Sequence, residues 1–138
     1  MRGFEVTSGS ARPVPFGSPR SAVLGFLEAV HGSPPQEQGE NLDCGAEFAA
    51  WVDGPVVWFA HDRFVGWSLH DPNMTITTAS GIGIGSLRTE LESSYDIEVV
   101  SSSLGVEFTA GGLAGLLDSA RSDARVTNLW AGVTCIAR

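Results

Sequence analysis

The sequence contains no lysine, and its eight basic residues, all arginine, are scattered along the 138-residue chain. Together with sixteen Asp and Glu residues they give a formal net charge of −8. Because a nucleic-acid groove needs clustered cations to neutralise phosphates, neither nucleic acid nor an anionic membrane is an expected partner. Without lysine there is also no P-loop. We therefore interpret Gly81, Gly83 and Gly85 as a tight turn before a helix and expect no cofactor.

Long apolar runs are also missing. No stretch approaches the roughly 20 apolar residues that cross a bilayer, so membrane insertion is not expected. The N-terminal residues 1–15 lack the apolar segment of a signal peptide. Such a chain is either cytoplasmic or the mature part of an exported protein, and the sequence leaves both open. With 43% hydrophobic and 17% charged residues, the composition is that of a globular domain.

Cysteine is scarce, with only Cys44 and Cys135. Neither has a Cys-x-x-Cys partner or a histidine at zinc-ligand spacing, so we expect no metal site. Two cysteines fit one disulfide between Cys44 and Cys135, and they also fit two buried thiols. We adopt the disulfide as the hypothesis.

One pattern occurs twice. The segment Phe16–Arg20 (FGSPR) recurs as Ile84–Arg88 (IGSLR), at an offset of 68 residues. Apolar residues at helical spacing follow the first copy and predict a helix over Pro19–Val30. We expect Ser18 and Ser86 to cap the two helices. Neither helix is expected to carry a capping box, since the position three residues after each serine is not Glu or Gln.

Strand patterns follow each predicted helix. The polar stretch 36–43 is interpreted as a loop, and three strands are predicted after it: Ala49–Val52, Val56–Ala60 and Phe64–Leu69. Four are predicted after the second helix: Ile97–Val100, Gly105–Thr109, Leu113–Leu117 and Val126–Trp130. The predicted fold is α+β, with two helix-plus-antiparallel-meander half-repeats forming one sheet with helices on one face. Residues 1–15 form an irregular segment, 16–72 the first half-repeat and 73–138 the second, within a single compact domain.

The repeated element resembles the β-lactamase inhibitor protein family. It carries Gly-Ser-x-Arg at the start of a helix before an antiparallel meander, here at Gly17–Arg20 and Gly85–Arg88. It is also similar to the small lipoprotein of the bacterial outer-membrane barrel-assembly machine, which has one such unit. The resemblance implies a non-catalytic binding protein of the cell exterior that docks through its sheet. Inhibitors of that family have a disulfide within each half, whereas this chain has one cysteine per half.

Large aromatic residues are concentrated in the first meander, and three of them, Trp58, Phe64 and Trp67, are the candidate binding residues. Strict alternation along a strand places Phe64 and Trp67 on opposite faces. Both faces of the meander would then carry large apolar groups. One face is core, and the other is either covered by the second half or an exposed aromatic patch of the kind that marks binding surfaces.

Three functions remain for this sequence. The first is a non-catalytic extracellular or cell-envelope module that binds another protein or an envelope component. The second is a structural or self-associating unit, with a homodimer formed by edge-strand pairing. The third and least favoured is a small enzyme that uses His61 or His70 with the aspartate next to each. No Gly-x-Ser-x-Gly motif or other catalytic signature supports the enzyme.

Overall fold

The structure is a computed structural model that describes residues 4–6, 12–41, 45–51, 54–70, 76–78 and 80–132. Its helices are α1 (Arg20–His31) and α2 (Arg88–Ser94). The strands are β1 (Phe4–Val6), β2 (Arg12–Val14), β3 (Glu37–Asn41), β4 (Ala46–Ala50), β5 (Val56–Ala60), β6 (Arg63–Leu69), β7 (Ile76–Thr77), β8 (Glu98–Ser102), β9 (Gly105–Ala110), β10 (Leu113–Leu117) and β11 (Val126–Gly132).

Most of the chain forms one antiparallel sheet of eight strands, in the order β3-β4-β5-β6-β11-β10-β9-β8. A second, three-stranded sheet has the order β2-β1-β7. Two of its strands, β1 and β2, lie within the stretch 1–15 that is interpreted from the sequence as irregular, so that interpretation is wrong for residues 4–6 and 12–14. The four strands after α1 lie side by side, as do the four after α2, and the two groups meet where β6 pairs with β11. The prediction of an α+β fold built on one antiparallel sheet is confirmed.

The hydrophobic core lies against one face of the eight-stranded sheet. Helix α1 contributes Val23 and Leu27, and α2 contributes Leu91. One row of paired residues crosses six central strands and is buried throughout: Ala49, Val57, Trp67, Ala131, Leu113 and Ala110. Residues opposite one another on neighbouring strands project to the same face, so this row defines the core face. We call the opposite side of the sheet the outer face.

The helices begin later than the sequence predicts. Pro19 is extended (φ −60°, ψ 143°) and pairs with Arg63 in an isolated bridge, so α1 starts at Arg20. The prediction that Ser18 caps this helix is wrong, because its hydroxyl donates to the Pro15 carbonyl at 2.7 Å instead. The other end lies one residue beyond the predicted Val30, where Gly32 adopts a left-handed conformation and its N–H donates to the Glu28 carbonyl.

The second helix differs from prediction in the same way. Leu87 is the residue before α2, and its N–H donates to Glu90 Oε1 at 2.9 Å. Glu90 thus makes the return bond of a capping box, which counting from Ser86 had missed. Ser86 is not the cap. Its Oγ accepts from the Gly83 N–H at 3.0 Å and stabilises the turn before the helix.

The strand predictions hold for seven of the eight strands of the large sheet, with ends displaced by up to three residues. The exception is β3, which occupies part of the stretch predicted as a loop. Four of its five residues are exposed. An edge strand exposed along its length has no apolar alternation, so nothing in the sequence distinguished it from a loop.

A short set of backbone contacts, here called the first latch, fastens the start of α1 to β6. The Gly17 N–H donates to Phe64 at 2.8 Å, and the Phe64 N–H donates back to Ser18 at 2.9 Å. The Arg20 N–H donates to Asp62 at 2.8 Å. Gly17 has φ +91°, a conformation that favours glycine.

The second latch fastens the start of α2 to β11. The Gly85 N–H donates to Val126 at 2.8 Å, and the Val126 N–H donates to Ser86 at 2.9 Å. The Arg88 N–H donates to Ala124 at 2.8 Å. Gly85 also has φ +91°. The repeated sequence motif therefore positions a helix on a strand rather than capping it.

Candidate functional site

Two of the three candidate binding residues are not accessible. Phe64 and Trp67 are each 0% exposed and belong to the core. The Phe64 ring lies edge-on to that of Phe16, with centroids 5.1 Å apart, and tilted to that of Phe59 at 6.3 Å. Neither Phe64 nor Trp67 can contact a partner in this conformation.

A β-bulge explains why Phe64 and Trp67 share a face. Phe59 pairs with Phe64 and Trp58 with Gly66, so Val65 is an extra residue in β6. One extra residue shifts the alternation by one position. The prediction that Phe64 and Trp67 lie on opposite faces was therefore wrong. No pattern in the sequence indicated the bulge.

Trp58, the third candidate, lies on the outer face. Its neighbours in β5, Val57 and Phe59, both project into the core, so Trp58 projects away from it. The structure adds Trp130 in β11, which lies between the core residues Leu129 and Ala131 and projects the same way. Neither tryptophan is a member of the core cluster, although they are only 7% and 8% exposed. Alternation within β11 was the signal that could have identified Trp130.

The outer face is apolar and aromatic near its centre. Around the two tryptophans lie partly exposed neighbours on paired strands: Phe48, Val56, Ser68, Ala114 and Leu116. Charged side chains on this face lie toward its two edges: Glu37 in β3 and Glu98 in β8 are exposed, and Glu107 in β9 is buried at 2% exposure. Val100, paired with Glu107, is 54% exposed. An apolar centre with a polar margin is the usual anatomy of a protein-binding surface.

The two histidine candidates are far apart. His61 and Asp62 form the two-residue turn between β5 and β6, with φ of 52° and 61°, and both are exposed. His70 is exposed at the other end of the seven-residue β6. At about 3.3 Å per residue, the two histidines are roughly 25–30 Å apart. They do not form one site, and Asp71 lies outside the described residues.

An open depression of about 490 Å³ adjoins the β5–β6 turn and the start of α1. It is lined by Pro19, Arg20, Ser21, His61, Asp62 and Arg63. Its cations already have partners. Arg20 donates to Glu47 Oε1 at 2.7 Å and stacks over the Phe59 ring at 5.0 Å, and Arg63 donates to the Gly17 carbonyl at 3.4 Å. These contacts hold both arginine side chains against neighbouring parts of the fold.

Neither Cys44 nor Cys135 is among the described residues, so their predicted disulfide stays a prediction. In the part of the chain that is described, no three His, Cys, Asp or Glu side chains are placed to hold a metal ion. Neither described helix has the length and apolar character needed to cross a membrane.

No protein-family model, curated protein or solved structure matches this chain.

Proposed function

We propose that this protein is a non-catalytic binding module that docks another protein on the outer face of its sheet. The observation that carries the proposal is the pair Trp58 and Trp130, which project away from the core from β5 and β11, the two strands that flank β6, and are 7% and 8% exposed. Tryptophan is enriched at the energetic centres of protein interfaces. The partly exposed side chains of Phe48 and Leu116 extend the same apolar surface on either side.

The proposal includes an architecture of two equivalent half-repeats. The two latches support it, because the same bonds recur at the same lengths. The isolated bridges also correspond, Pro19 with Arg63 and Leu87 with Arg125. Each half would then present one half of the outer face.

Bulges at corresponding positions of β6 and β11 also support the equivalence of the two half-repeats. Leu117 pairs with Val126 and Leu116 with Asn128, so Thr127 is the extra residue of β11. Thr127 lies 62 residues after Val65, the extra residue of β6, and Arg125 lies 62 after Arg63. A bulge bends a strand locally. An antiparallel sheet does not in general require two bulges at corresponding positions.

The centre of the sheet supports the same interpretation. Where β6 meets β11, Ser68 pairs with Trp130, and these residues are themselves 62 apart. The same offset relates the two flanking pairs, Leu69 with Leu129 and Trp67 with Ala131. Moving each residue by 62 positions into the other half converts one pair into the other. A pseudo-two-fold axis through the Ser68–Trp130 pair accounts for this register.

A location outside the cytoplasm belongs to the proposal as well. It is supported by the resemblance to exported inhibitors and by the hypothesis of a Cys44–Cys135 disulfide. Mass spectrometry of the unreduced protein tests the disulfide directly, since pairing lowers the mass by about two hydrogens and blocks thiol alkylation. Two alkylatable thiols in the folded protein would contradict it.

The binding surface is tested with variants that leave the core intact. Phe48→Ser and Leu116→Ser change partly exposed side chains on the outer face, and Thr89→Ala changes an exposed residue of α2 as a matched control. Immobilised wild-type protein and each variant are incubated with envelope and extracellular fractions, and the affinity of any retained partner is measured. We expect each serine variant to bind about tenfold more weakly or worse, with Thr89→Ala unchanged.

Two results would contradict the proposal. One is a partner whose affinity is unchanged by both serine variants, which would place its binding site elsewhere. The other is the retention of no protein at micromolar concentrations from any fraction. Circular dichroism of each variant confirms that a loss of binding is not a loss of fold.

A further inference from the structure

The two edges of the eight-stranded sheet differ in chemistry. Strand β3 at one edge carries two glutamates and a glycine among its five residues. Strand β8 at the other edge has the sequence EVVSS, with no lysine or proline, and it pairs with β9 without a register shift. Charge, proline and bulges are the usual protections of a sheet edge. In β8 the single charge is Glu98, at its end.

The outer edge of β8 presents backbone groups suited to another strand. Ser102 and Gly105 flank the two-residue turn between β8 and β9 and are a register pair. In such a hairpin the flanking pair is hydrogen-bonded, and hydrogen-bonded pairs alternate with non-bonded ones. Val100 and Ser102 therefore direct their backbone groups toward β9, whereas Val99 and Ser101 direct theirs outward. Among the described residues, no strand pairs with this edge.

Val100 lies at the centre of that edge and is the one large apolar side chain, among those described, that is classed as exposed, at 54%. It projects to the outer face, as its paired residue Glu107 does. A strand added beside β8 would cover Val100 and complete the outward hydrogen bonds of Val99 and Ser101 together.

We propose that β8 is a self-association edge, where it pairs antiparallel with β8 of a second copy of this chain about a two-fold axis at Val100. The two Val100 side chains then form a non-hydrogen-bonded pair, in which side chains approach most closely. Val99 of each copy faces Ser101 of the other, and these two pairs supply about four backbone hydrogen bonds.

This register pairs all five residues of each β8, and the charges are compatible with it. With Val100 on the axis, Glu98 of one copy faces Ser102 of the other and no carboxylates are opposed. Like charges directly opposite one another destabilise a sheet, and an equivalent pairing of β3 would bring four glutamates into one two-stranded unit. The β8 edge is therefore the one suited to a second copy.

This inference goes beyond the proposed function, since the edge is distinct from the centre of the outer face. The dimer would join the outer faces of two copies into one continuous sheet, so a partner would meet two binding surfaces. The same kind of contact exists inside the chain, where β6 and β11 pair antiparallel about Ser68 and Trp130.

Cysteine cross-linking tests the register. In a non-hydrogen-bonded antiparallel pair the Cα atoms are about 4.5 Å apart, within the range that a disulfide spans. Val100→Cys is therefore expected to form a disulfide-linked dimer under mild oxidation. Ser101→Cys is the matched control, because its copy lies on the diagonal at roughly 7–8 Å, beyond disulfide reach. Wild-type protein, which has the same two native cysteines, gives the background.

Sedimentation equilibrium tests the association without a cross-link. From about 1 to 100 μM, we expect the mass of the wild type to rise from 14.5 kDa toward twice that value. Val100→Glu opposes two carboxylates on the axis and is expected to raise the dissociation constant by about tenfold or more. Val100→Thr keeps the β-branched side chain and should retain the dimer.

A constant mass of one chain at every concentration overturns the proposal, as does cross-linking of Ser101→Cys as readily as Val100→Cys. A dimer that persists in Val100→Glu also overturns it, because the contact would then lie elsewhere. Phe48→Ser and Leu116→Ser should leave this dimer intact, so failure of the edge and failure of the proposed binding surface are separate results.

Discussion

The first helix-led region, α1 with β3–β6, and the second, α2 with β8–β11, contain similar latch bonds and bulges. Their core side chains differ in volume. Residues 62 positions apart in β6 and β11 show the difference: Phe64 and Val126, Trp67 and Leu129, Leu69 and Ala131. All six are buried, and the larger of each pair is in the first region. At these three pairs of positions the first region therefore supplies the larger core side chain.

The second region fills its share of the core from a different strand. Gly115 lies opposite Leu129, where the first region has Val57 opposite Trp67. A Cβ added at Gly115 would lie 2.6 Å from the Phe108 ring and 2.2 Å from the Asn128 carbonyl. The Phe108 side chain, from β9, occupies the space that a larger residue in β10 would need. Phe108 thus fills, in the second region, the space beside Leu129 that Gly115 leaves.

The largest expected effect comes from removing volume at the centre of the first region. Trp67→Ala should lower the free energy of unfolding by about 3–5 kcal/mol. Leu129→Ala falls in the range of about 2–5 kcal/mol and should cost less than Trp67→Ala, since the tryptophan leaves the larger cavity. Urea denaturation followed by circular dichroism measures both.

Trp67→Leu sharpens the comparison, because it gives the first region the residue of the second. The free energy of unfolding of Trp67→Leu should lie between those of wild type and Trp67→Ala. This variant also allows the comparison if the alanine variant does not fold. A loss for Leu129→Ala as large as that for Trp67→Ala would contradict the unequal division of the core.

The sequence predicted the features that depend on local patterns. Apolar spacing identified α1, and strand patterns identified the four strands of the second region. The Gly-Ser-x-Arg repeat also marked both latches correctly in position. Its role was misassigned, because a serine followed by a proline or leucine satisfies the usual pattern of a helix cap. The β-bridges that hold Pro19 and Leu87 in an extended conformation involve residues about 40 positions away, which a local pattern does not include.

The candidate site was less predictable for the same reason. The exposure of Trp58, Phe64 and Trp67 depends on which face each occupies, and the bulge at Val65 changes the face within β6. A bulge is decided by pairing with another strand and leaves little trace in one sequence. Alternation alone therefore misplaced Phe64 relative to Trp67.

A smaller effect is expected at the two latch glycines, and here the regions should behave alike. Gly17 and Gly85 both have φ +91°, and an added Cβ would contact nothing within 4 Å at either position. The penalty for Gly17→Ala and Gly85→Ala is therefore backbone strain alone, about 1–2 kcal/mol each. Thermal and urea unfolding measure it.

Gly25→Ala is the matched control for these glycines. Gly25 is exposed in α1, has no positive φ and also leaves an added Cβ unobstructed. Alanine there should raise the free energy of unfolding by about 0.5–1 kcal/mol. Penalties at Gly17 and Gly85 that differ by more than 1 kcal/mol (roughly the whole strain) would argue against equivalent latches.

The smallest expected effect concerns the arginine that closes each latch. Arg125 Nη1 donates to the Gly85 carbonyl at 2.9 Å, whereas Arg63 Nη1 lies 3.4 Å from the Gly17 carbonyl, at the long limit of a hydrogen bond. Both side chains are exposed, so each contribution is reduced by solvent. Arg125→Ala should cost about 0.5–1 kcal/mol and Arg63→Ala less, measured as the shift in urea midpoint at constant slope. An equal or larger loss at Arg63 would mean that the first latch depends on its arginine more than its bond length implies, and that the two latches differ in strength as well as in surroundings.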